Sequence, residues 1–221
     1  MSEPITARAF HDDAGTRDWR VVADGACAVF ITGSLADGVR LAQAIAAAVD
    51  DARPRQPDLD LQHDTVTVRL ITTTDDYAGL SERDLELAKL ISQLAREQGF
   101  SADPSLVQTV QFTIDALVSA DVMPFWAAVL GYERRPDSPD EDLVDPRWRG
   151  PGIWFQDMDA PRPQRNRIHV DVWVPPDLAE ARVAAALAAG GTMVRDKGPT
   201  YWTLADPEGN EVDVATVTGR D

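Results

Sequence analysis

The second half of this chain carries the same strand–helix–strand pattern twice, and that repetition restricts its fold more than any other feature. VQTVQFTID (107–115), SADVMPFWAAVLGY (119–132) and GIWFQDMD (152–159) read as strand, capped helix and strand; RIHVDVWV (167–174), PPDLAEARVAAALAAGG (175–191) and TYWTLADPEGNEVDVA (200–215) read as strand, helix and two strands. Glycines end both helices, at Gly131 and at Gly190-Gly191. Strand parity tests the repeat, because alternate side chains point to opposite faces and only one face can pack on helices. Val110, Phe112 and Ile114 oppose Gln111, just as Ile168, Val170 and Val172 oppose His169. In the closing strands Ile153 and Phe155 oppose Gln156, and Val212 and Val214 oppose Glu211. Two β-α-β-β-β units therefore each bring one polar residue from their first strand and one from their last onto the face away from the helices. Trp154 shares the Gln156 face, and Asp171 and Trp173 share the His169 face, so these residues, with Trp202, are candidates for an aromatic-walled ligand cleft. Asp171 is a candidate base or an orienter of His169.

The first hundred residues follow a different rule. WRVVADGACAVFITG reads as a hairpin turned at Asp24-Gly25, the dipeptide suited to positive φ in a tight turn. Ser34 with Asp37 caps a helix through Leu35, Val39, Ala42, Ile45 and Val49; TVTVRL alternates as a strand; Ser81 with Asp84 opens a second helix that ends at Gly99. Small and turn-forming residues cluster in FSADPS (100–105), which places a domain boundary there, dividing 1–102 from 103–221. The fold class expected is α+β: an antiparallel sheet with helices on one face, followed by paired β-α-β-β-β modules.

The net charge of −16 disfavours nucleic acid and anionic membrane surfaces, and no Lys/Arg cluster offsets it. A small-molecule ligand or substrate is the partner expected. Cys27 is the one cysteine, set in the apolar run ACAVFI, so an internal disulfide is excluded and a reducing, cytoplasmic location is expected. No stretch approaches the ~18 apolar residues of a membrane span.

FWAAVLGY, GIWFQDMD, NRIHVDVWVP and LADPEGNEVDV together resemble the vicinal oxygen chelate superfamily, which includes glyoxalase I, extradiol dioxygenases and bleomycin-resistance proteins; the likeness is to its glyoxalase-like members. The resemblance implies paired modules curling into a cleft, with a divalent metal held at the positions of Gln111, Gln156, His169 and Glu211. Two of those positions carry neutral amides, weaker ligands than carboxylate or imidazole. It leaves open a metal-dependent enzyme with Glu211 in its site, of isomerase, lyase or dioxygenase type, or a metal-free module that sequesters a small molecule. Residues 17–98, with AGLSERD most specific, resemble pterin-4a-carbinolamine dehydratases. Those enzymes use histidines as acid and base in a His-His-Pro and a later Thr-His. This chain has Arg55-Gln56-Pro57 and TTTDD (72–76) instead, and its three histidines, His11, His63 and His169, stand elsewhere. Asp75 or Asp76 is the remaining acid/base candidate for a surviving dehydratase. Both resemblances carry an expectation of a homodimer.

Overall fold

The computed structural model describes residues 3–23, 25–49, 57–161, 168 and 170–219. The chain divides into two compact units, Met1–Thr109 and Val110–Asp221.

The first unit runs β1 (Pro4–Ile5), α1 (Ala7–Asp12), β2 (Arg20–Val22), β3 (Gly25–Ile31), α2 (Leu35–Ala48), β4 (Asp58–Leu61), β5 (Thr65–Leu70), β6 (Thr72–Thr73), β7 (Ala78–Ser81), α3 (Glu82–Glu97) and β8 (Ser101–Ala102). Its main sheet is antiparallel in the order β2-β3-β5-β4, with β8 added to β3. The TVTVRL alternation buries Val66, Val68 and Leu70 against Leu41 and Ile45 of α2 and Ala88, Ile91 and Ala95 of α3. Both helix starts are made by the serines the sequence marks. Ser34 Oγ accepts from the Asp37 N–H, and the buried Asp84 carboxylate accepts from Ser81 N–H, Ser81 Oγ and Thr72 Oγ1. The hairpin between β2 and β3 forms with Gly25 at φ 123, while Asp24 lies outside the described residues. β4, whose DLDL gives little hydrophobic signal, is a strand that sequence pattern alone does not reveal.

FSADPS is bound into the first unit. Residues 101–102 pair with β3, and the Asp103 N–H donates to the Val29 carbonyl at 2.8 Å, so the division between units falls at Thr109/Val110.

The second unit runs β9 (Gln111–Ala116), α4 (Ser119–Leu130), β10 (Glu133–Arg134), β11 (Asp142–Val144), β12 (Gly152–Asp157), β13 (Val170–Trp173), α5 (Pro176–Ala188), β14 (Thr192–Lys197), β15 (Tyr201–Ala205) and β16 (Glu211–Ala215). Its sheets have the orders β9-β12-β11-β10 and β13-β16-β15-β14. The repeat is exact in topology: in each module the first strand lies parallel beside the fourth, which pairs antiparallel with the third. The paired β-α-β-β-β architecture is that of the vicinal oxygen chelate fold. Ile153, Phe155, Leu204, Val212 and Val214 meet Phe125, Trp126 and Val129 of α4 and Ala179, Val183 and Ala186 of α5 in one core. The parity that puts Val212 and Val214 inward puts Glu211 outward, and α4 stops where Gly131 takes φ 71.

The start of α4 corrects a sequence expectation. Val118 is the N-cap and no side chain of its own segment caps the helix. Glu208 does so from a distance: its two carboxylate oxygens accept from the N–H groups of Leu117 and Val118 at 2.7 and 2.8 Å. Among the described residues no helix is long and apolar enough to cross a membrane.

Candidate functional site

β9 and β13 are each the outer strand of their own sheet, and a cleft of about 620 Å³ opens along them. Phe112, Thr113, Ile114 and Asp115 of β9 line it together with Val170, Asp171 and Val172 of β13. Trp126 and Leu130 of α4 contribute with Tyr132 and Ile153, and Asn210 and Glu211 come from the turn entering β16. The volume lies in the ~300–1,000 Å³ range of small-molecule sites, and the composition fits one: apolar walls with a few polar groups.

Of the residues singled out in the sequence, Glu211 and Asp171 meet in this cleft. Residues of both strand parities reach it. Gln111 and Gln156 are exposed and Trp154 is half-buried; Trp173 is 52% exposed, and none of the four is among the residues lining the cleft. Trp202 is not among the residues lining the cleft either. It alternates in step with Leu204 and packs in the core with Val212 and Val214. The aromatic walls are Phe112, Trp126 and Tyr132. His169, Arg55 and Gln56 lie outside the described residues. Among the described residues no group of three carboxylate, thiolate or imidazole side chains converges to hold an ion.

The sequence reading missed Asp115, Trp126, Tyr132 and Asn210. The signal available was the Asp-Pro pair, which occurs at equivalent places in the two modules, in DPRWRG (145–150) and DPEGN (206–210). Both aspartates are buried turn-formers. Asp145 accepts from the N–H groups of Arg147, Arg149 and Gly150 at 2.9, 3.1 and 2.9 Å. Asp206 accepts from those of Glu208 and Asn210, both at 2.9 Å. Burial opposes the charge on Asp145, but the three N–H donors and Arg147 outweigh it and hold the carboxyl below its usual 3.8. A depressed folded-state pKa stabilises the fold fully above the unfolded value, and that contribution is lost as pH falls through the folded value. Denaturant midpoints measured between neutral pH and pH 3 are therefore expected to fall less steeply in Asp145→Asn than in wild type; equal slopes would contradict this.

Burial, then the nearby Asp145 charge, raises the Tyr132 phenol above its usual 10.0, so it stays a hydrogen-bond donor. The hydrogen bond to Tyr201, with the nearby Asp213 and Glu211 carboxylates, raises the Arg195 guanidinium above its ordinary value.

The comparisons agree with this architecture. Residues 111–215 match a glyoxalase-like domain, and residues 3–94 match pterin 4 alpha carbinolamine dehydratase. The chain thus joins a dehydratase-like domain to a glyoxalase-like domain. No curated protein matches the sequence. Solved structures similar to the chain include a glyoxalase/bleomycin resistance protein/dioxygenase family enzyme from Burkholderia phytofirmans PsJN, 16% identical over 50% of this chain and 99% of that one, TM-score 0.40. A fosfomycin resistance protein from Mesorhizobium loti is 8% identical over 52% and 95%, TM-score 0.41. A mutant of the fosfomycin resistance protein from Listeria monocytogenes, complexed with Mn(II) and 1S,2S-dihydroxypropylphosphonic acid, is 10% identical over 50% and 90%, TM-score 0.38.

Proposed function

We propose that the glyoxalase-like domain binds a small, largely apolar molecule bearing hydroxyl or carbonyl oxygens in the cleft between β9 and β13. The observation that carries this reading is the convergence of Glu211, Asp171, Asp115 and Asn210 on one apolar cavity of about 620 Å³. The carboxylates are acceptors for ligand hydroxyls and bases for an acidic proton, and the Tyr132 phenol is a neutral donor to a ligand oxygen. A carboxylate base with a neutral donor on one ligand is the equipment of proton-transfer chemistry such as isomerisation or elimination. In this reading the dehydratase-like domain is a non-catalytic companion.

2,3-Dihydroxynaphthalene, a flat apolar molecule with two adjacent hydroxyls, is the test ligand. Titrated into ¹⁵N-labelled protein it is expected to shift amides of residues 112–115, 170–172 and 210–211. Glu211→Gln is expected to weaken binding about tenfold, since a hydrogen bond to a charged group contributes about 1.5–3 kcal/mol. Shifts confined to other regions would defeat the reading. Metal content after purification without a chelating tag examines the ion separately: a stoichiometric divalent metal lost in Glu211→Ala would add a cation to this site.

A further inference from the structure

The two Asp-Pro turns are chemically equivalent up to a point. Asp145 makes its turn with backbone N–H donors alone, apart from Arg147 Nε at 3.6 Å. Asp206, 2% exposed, makes the same kind of turn with the N–H groups of Glu208 and Asn210 on Oδ1. Its other oxygen is directed elsewhere: Oδ2 accepts from Trp126 Nε1 at 2.9 Å and from Asn210 Nδ2 at 2.8 Å. Asp145 shows that side-chain donors are unnecessary for turning the chain. Both groups on Oδ2 belong to residues that line the cleft, Trp126 from α4 of the first module and Asn210 from the second.

Resting on the reading of the cleft as a small-molecule site, we propose that Asp206 is its positioning residue: one buried carboxylate fixes the Trp126 wall and the Asn210 amide, and so sets the ligand geometry across both modules. A charged acceptor suits this because its bonds to N–H donors are short and directional, and burial excludes competing water. The indole cannot swing freely on that bond, since Phe125 abuts it edge-on with ring centroids 5.6 Å apart. Asn210 immediately precedes Glu211, so the same carboxylate also fixes the backbone that presents the Glu211 side chain.

Asp206→Asn in the full chain isolates the effect. Its amide oxygen can still accept from Glu208 and Asn210 N–H and keep the turn, while its NH₂ faces the indole and Asn210 N–H donors and cannot accept from them. The far-UV spectrum is expected to be unchanged and the affinity for 2,3-dihydroxynaphthalene to fall at least about tenfold. The Trp126 indole ¹H–¹⁵N resonance should move upfield and exchange faster, a readout that needs no ligand. In a Trp126→Phe background, which keeps an aromatic ring but removes the N–H, the affinity penalty of Asp206→Asn should shrink by at least half. Glu208→Ala, which removes the distant cap on α4 from the same turn, should lower the melting temperature while leaving affinity within about twofold. An indole resonance that does not respond, or a penalty of Asp206→Asn undiminished in the Trp126→Phe background, overturns the proposal. Wild-type protein that does not bind the probe sinks the cleft reading and this proposal with it; wild-type binding with unchanged affinity in Asp206→Asn sinks only the proposal.

Discussion

Gly191→Ala is expected to lower the melting temperature of the glyoxalase-like domain by about ten degrees while leaving the transition of the dehydratase-like domain in place. Gly191 follows α5, its N–H donating to the Ala186 carbonyl at 3.1 Å. A Cβ on this backbone would collide with two ring carbons of Phe125 and lie 2.9 Å from the Ala186 oxygen. Neither obstacle yields easily. Ala186 is helix backbone, and Phe125 is fully buried and wedged against Trp126, whose indole is tied to Asp206. Overpacking a closed core costs about 1–3 kcal/mol, and a site with no flexible neighbour belongs at the upper end. For a domain of this size each kcal/mol shifts the melting temperature by roughly 4 °C. Because the two units are separately compact, the loss belongs to one of them. Calorimetry of the full chain and of a fragment from Leu106 onward distinguishes the outcomes: a single shifted transition, or an unfolded wild-type fragment, would contradict independent folding. Because Phe125 sits behind the cleft wall, the variant should also weaken 2,3-dihydroxynaphthalene binding before it unfolds the domain.

The module architecture was legible in the sequence because it is written in period-two alternation. Val66, Val68 and Leu70 in one domain, and Ile153, Phe155, Val212 and Val214 in the other, are inward in the structure as alternation requires. The location of the cleft was not legible. Parity gives the face on which a side chain lies, whereas whether β9 and β13 remain outer strands depends on pairing, which alternation does not encode. Gln111 and Glu211 both point away from the helices, yet only Glu211 lines the cleft. The polar links between modules were equally hidden. Trp126 to Asp206, and Glu208 to Leu117 and Val118, join residues about 80–90 positions apart, and no local pattern announces them.

The dehydratase-like domain is expected not to accelerate dehydration of a 4a-hydroxytetrahydropterin above the buffer rate. That reaction needs a proton delivered to the departing hydroxyl and another removed, and groups titrating near neutrality do this best; each well-placed one contributes about 10²–10⁴-fold. Arg55 and Gln56 replace the histidines that the family resemblance calls for, and neither exchanges protons at neutral pH. The two histidines of the domain do not substitute for them. His11 lies on α1, where its Nε2 accepts from the Val21 N–H at 3.2 Å, and His63 sits exposed in the turn between β4 and β5. That leaves Asp75 and Asp76, exposed side chains between β6 and β7, the second accepting from Thr74 Oγ1 at 2.8 Å. Two adjacent exposed carboxylates are a poor replacement for a pair of imidazoles placed to act as acid and base. Stopped-flow measurement of carbinolamine decay, with the full chain at micromolar concentration across pH 5–9, is the direct check. Flat rates indistinguishable from buffer are expected. A bell-shaped acceleration abolished by Asp75→Asn or Asp76→Asn would show that the domain had replaced an imidazole with a carboxylate and kept its chemistry.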